Sequence, residues 1–127
     1  MGLSTLQFVG TDRFIWGLRV YSLGLQIKEE GRLADAYALP ANIARTERGL
    51  QFFHASARIQ AVSANGRWAS NARTVFDTTT FKPLRRIPFL CFSQTFSQDG
   101  RTLFLLNGNK TELIIVPQWE RDLPPLK

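Results

Sequence analysis

Ser63-Ala64-Asn65-Gly66-Arg67 recurs 34 residues later as Ser97-Gln98-Asp99-Gly100-Arg101. An apolar run precedes each copy, Ile59 to Val62 in one and Phe92 to Phe96 in the other. A hydrophobic segment follows each, then a second turn, then another β-forming run. These runs are Thr74-Val75-Phe76-Asp77 and Leu113-Ile114-Ile115-Val116. Asn-Gly and Asp-Gly are strong hairpin signals, because a type I′ turn needs positive φ at both central positions. Asn65-Gly66 and Asp99-Gly100 are therefore expected to be such turns. Asp77 heads a further turn, Asp77-Thr78-Thr79-Thr80. A fainter copy stands at the front, where Gly10-Thr11-Asp12-Arg13 precedes Phe14-Ile15-Trp16. A unit that recurs at this period cannot bury its own faces and must stack on its neighbours.

Short β-rich runs separated by turn clusters predict an all-β fold of antiparallel hairpins. The expected units are 5–28, 52–88 and 89–118, in a single domain over 1–127. Residues 29–51 form a connector. Its five alanines, mixed charges and Pro40 predict a short helical insertion around 30–45, from Arg32 to Leu39. Phe76, Phe96, Leu103, Leu105 and Ile114 are the expected core, and Trp16 and Trp68 are read as core packing.

The run Phe96-Ser97-Gln98-Asp99-Gly100-Arg101-Thr102-Leu103-Phe104-Leu105-Leu106-Asn107 resembles the core of a β-propeller blade. The type is the Tyr-Val-Thr-Asn repeat, related to WD repeats and to lactonase-like propellers. Val75 to Ile87 is similar to the third strand of such a blade, its Asp-Thr turn and the outer strand. The resemblance covers residues 57–116 well and 5–23 weakly. Ala64 and Gln98 replace the family's proline before Asp-Gly, no Trp-Asp dipeptide occurs, and the Pro-rich, charged residues 117–127 give the last unit no outer strand. Propellers close with about four to eight blades, and this length holds about three. The resemblance thus implies a piece of a larger ring, or a ring completed by identical chains. A small barrel or sandwich, or an α+β fold, is the alternative.

The chain has 127 residues, 44% hydrophobic and 12% aromatic, which excludes a disordered linker. No apolar run reaches the ~20 residues of a membrane helix, and the first residues lack a signal-peptide pattern, so a cytosolic location is expected. Cys91 is the sole cysteine, so no internal disulfide forms. It stands in an apolar strand and reads as a small buried hydrophobe.

His54 is the sole histidine, and no Gly-x-Ser-x-Gly elbow exists to hold a catalytic serine. No catalytic set, metal site or cofactor is implied. Asn109-Lys110-Thr111 matches a glycosylation acceptor. With 16 basic and 10 acidic residues the net charge is +6. Lys82, Arg85 and Arg86 form the densest basic cluster, and Arg67 with Trp68 extends it. Such a patch suits an acidic partner or nucleic acid, with Trp68 stacking on bases. A charged edge strand that resists aggregation is the plainer reading. The expected function is a non-catalytic propeller-like binding module with a protein partner or self-association. A lactonase-like hydrolase fragment and a basic nucleic-acid-binding domain are the alternatives.

Overall fold

The computed structural model describes residues 6–33, 58–89, 91–107 and 112–126. The fold is all-β. Among the described residues three antiparallel sheets follow one another along the chain.

The first sheet is a meander of β1 (Leu6–Val9), β2 (Arg13–Trp16), β3 (Arg19–Ser22) and β4 (Lys28–Arg32). The second repeats that order with β5 (Ala61–Val62), β6 (Trp68–Ser70), β7 (Thr74–Asp77) and β8 (Pro83–Arg86). The third has β9 (Cys91–Phe96), β10 (Leu103–Asn107) and β11 (Leu113–Val116). In place of a fourth strand the chain enters α1 (Trp119–Asp122), which packs against β8. The first strand of each sheet lies beside the next one's, β1 beside β5 and β5 beside β9.

The sheets stack through two cores. Between the first and second lie Val9, Ile15, Val20, Leu33, Ile59, Ala69 and Phe76, with Phe81 packed on them. Between the second and third lie Val75, Ile87, Cys91, Leu103, Leu105 and Val116, with Trp119 and Leu123 from the α1 segment. The second sheet is thus covered on both faces, and all four residues of β7 are buried. Successive residues of a strand point to opposite faces, so such a strand must be apolar or internally bonded at both parities.

Polar ties cross the same junctions. The Arg13 guanidinium donates to Thr78 O at 2.9 Å, joining first to second sheet. The Phe81 ring covers Gly31 of β4 so closely that a β-carbon there would sit 2.5 Å from it. Phe81 itself has φ +65°, a left-handed conformation that is uncommon outside glycine. Ser70 hydroxyl bonds Gln94 Oε1, and Gln94 Nε2 donates to Asn71 O, joining second to third.

Three expectations change. Lys28–Arg32 is the fourth strand of the first sheet, so the first unit runs beyond 28 and Arg32 does not open a helix. Pairing with β3 overrides the weak local propensity of Glu29-Glu30-Gly31. Trp16 is 55% exposed rather than core, because it points away from the face of β2 whose Ile15 enters the core between the first and second sheets. Asn65 and Asp99 lack positive φ, so the hairpins are not type I′. Residues 34–39 of the expected helix, most of the connector, His54 and Asn109 to Thr111 lie outside the described residues.

Candidate functional site

The two matching turns have one hydrogen-bond network. Gly66 N–H donates to Ser63 O and Gly100 N–H to Ser97 O, both at 2.9 Å. Asn65 Oδ1 accepts from the Ser63 hydroxyl and from Arg67 N. Asp99 Oδ1 accepts from the Ser97 hydroxyl and from Arg101 N. Each serine hydroxyl accepts in turn from the chain just beyond the turn, Trp68 N in one and Thr102 N in the other. The Asx side chain supplies the turn that positive φ would otherwise have made. Only the glycines are left-handed, φ +75° at Gly66 and +78° at Gly100. The Ser97 hydroxyl and Arg101 amide hold the Asp99 carboxyl below its usual range.

Each turn glycine nests against the preceding sheet. A β-carbon on Gly66 would stand 3.0 Å from Gly10 N of the first sheet. One on Gly100 would stand 3.4 Å from the Trp68 ring of the second. The carbonyls are capped alike, since Thr78 hydroxyl donates to Gly66 O and Trp119 Nε1 donates to Gly100 O. Asp77 is buried and holds its own turn, accepting from Thr79 N and Thr80 N. Asn65, Gly66, Asp77, Asp99 and Gly100 all lie in turns held by these bonds.

The second sheet divides the expected basic cluster, with Arg67 and Lys82 at the Asp77 end of β7 and Arg86 at the Thr74 end. Arg85 pairs with Val75 and Arg86 with Thr74, so their side chains leave opposite faces of the sheet. Arg85 Nε donates to Glu120 O at 2.8 Å, and Arg86 N to Pro124 O at 3.0 Å. Both bonds fasten the α1 segment over the edge strand, which leaves that edge covered. Lys82 is exposed beside the Asp77 end of β7, away from Arg86 at the Thr74 end. The Arg67 guanidinium lies 4.7 Å over the Trp68 ring, a cation–π contact. Trp68 also meets Trp119 edge-on at 5.2 Å, at the junction of the second and third sheets.

Cys91 is fully buried, and burial pushes its thiol up despite the Gln94 bond. The described residues contain no cluster of three or more metal-ligating side chains. A cleft of about 160 Å³ is lined by Arg101, Gln118, Glu120 and Arg121, beside the Arg121–Asp122 ion pair.

The surfaces not anticipated are the two ends of the stack. The outward face of the first sheet carries Leu6, Phe8 and Trp16 exposed, next to Phe14 stacked on Tyr21 at 5.1 Å. The outward face of the third carries Leu113 and Ile115, with Phe104 and Leu106 half-buried beside them. Leu113-Ile114-Ile115-Val116 is apolar at both parities, the sequence signal of a second apolar face on that strand. No family model, curated protein or solved structure matches the chain.

Proposed function

We propose that this chain is a non-catalytic, β-propeller-like interaction module of three blade-like sheets. The observation that carries the reading is the repeated junction. The Gly66 turn nests on the first sheet as the Gly100 turn nests on the second, with matching hydrogen bonds. Side-by-side first strands and outward-running meanders are what a segment of a propeller ring needs. Apolar side chains on both end faces are what it offers to a protein partner.

A photo-crosslinking amino acid placed at Phe8 or Ile115 tests this reading. The expected result is capture of protein from either position and none from Lys82. Capture from Lys82 with silent end faces would overturn it.

A further inference from the structure

Each junction joins two faces of different kind. The later sheet offers a leading face: Phe76 and Ala69 in the second, Leu103 and Val116 in the third. The earlier sheet offers a trailing face: Val9, Ile15 and Val20 in the first, Val75 in the second. Among the described residues two faces are left over. One is the leading face of the first sheet, where Leu6, Phe8 and Trp16 are exposed around the buried Phe14. The other is the trailing face of the third, with Leu113 and Ile115.

The register shows what the free trailing face is built for. Ala69 pairs with Phe76, and Leu103 pairs with Val116. Ala69 and Leu103 each stand three residues after a turn glycine, so Phe76 corresponds to Val116 and Val75 to Ile115. Val75 is fully buried under the next sheet, whereas Ile115 is 53% exposed. Ile115 thus occupies the position that a further leading face covers, and among the described sheets Phe8, 62% exposed, belongs to the leading face without a host.

We infer that the leading face of the first sheet docks on the trailing face of the third sheet of a second copy of this chain, and reciprocally. The inference rests on the interaction-module reading and names the partner of its end faces. Continuity with the two internal junctions favours a second copy, because this sequence already builds both halves of the contact. Such a head-to-tail contact gives a closed ring or an open filament, depending on its rotation. Two chains of three sheets supply six, within the range of about four to eight at which such rings close. Two contacts then form at once and leave no apolar end.

Light scattering on the full chain over a range of concentrations tests this, with amide exchange of β2, β7 and β10 as the check on folding. The expected mass is that of two chains, without further growth. Phe8→Lys and Ile115→Glu should each reduce it to one chain while the amides stay protected. Mixed, the two variants should regain the two-chain mass, since one contact is wild-type and the other sets the lysine against the glutamate. A mixture that stays monomeric overturns the head-to-tail pairing. A mass that climbs without a plateau overturns the closed pair. A monomeric wild-type chain with protected amides overturns the second copy as occupant, and leaves further sheets or another protein to cover the faces. Unprotected amides in the wild-type chain overturn the module reading itself, and this inference with it.

Discussion

Val75 and Phe76 are neighbours in β7, both fully buried, and they belong to different cores. Val75 packs towards the third sheet and Phe76 towards the first. One peptide bond therefore couples the two junctions, and the second sheet is the layer on which both depend.

Phe76→Ala should destabilise the chain by about 3–5 kcal/mol, the cost of a large cavity in a closed core. Urea unfolding followed by circular dichroism measures it. A loss below about 1 kcal/mol would contradict the packing of the first junction.

The two turn glycines should respond unequally. Both are left-handed, so alanine costs about 1 kcal/mol at either. At Gly66 the new β-carbon also meets backbone, Gly10 N at 3.0 Å, whereas at Gly100 its nearest neighbour is the edge of the Trp68 ring at 3.4 Å. Gly66→Ala should lower the thermal midpoint more than Gly100→Ala, and the reverse order would refute the nesting.

Trp119→Phe keeps most of the ring but removes the donor to Gly100 O, a buried 2.7 Å bond. An orphaned buried acceptor costs about 1–3 kcal/mol. Denaturant titration should show that loss without a change of secondary structure. An unaltered midpoint would mean that α1 does not depend on this anchor.

Asp99 carries a pH dependence of known sign. Its carboxyl is held below the usual value near 3.8 in the folded chain, so the charged form is favoured by folding. That contribution is present above the unfolded value and is lost as pH falls through the folded one. Asp99→Asn should leave the turn intact at neutral pH, as Asn65 does at the matching position, and should flatten the fall in stability below pH about 4. Asp122, lowered mainly by Arg121, leaves a residual slope. Thermal midpoints from pH 7 to 3 read both.

Cys91 should react with a thiol reagent only as fast as the chain opens, because it is buried and its thiolate is disfavoured. Rapid modification of the native chain would contradict its place in the second core.

The turns and their spacing were legible in the sequence, because Asx, Ser and Gly act on their own backbone within a few residues. The Ser-x-Asx-Gly-Arg repeat therefore located the hairpins, and the alternating apolar runs located Phe76, Leu103 and Leu105 in the core. The turn type was not legible, since an Asx side chain can replace a second left-handed residue. Nor was the fate of the arginines. Arg85 and Arg86 are adjacent in sequence, but the pleat sends them to opposite faces and the α1 segment takes the Arg85 side chain and the Arg86 backbone amide. Trp16 and Ile115 are equally apolar on paper as Ile15 and Val116, and only the stacking order decided which would be buried. Local chemistry sets turns and strands. Which face of a sheet finds a partner depends on what lies beyond it, and that is a property of the assembled sheets.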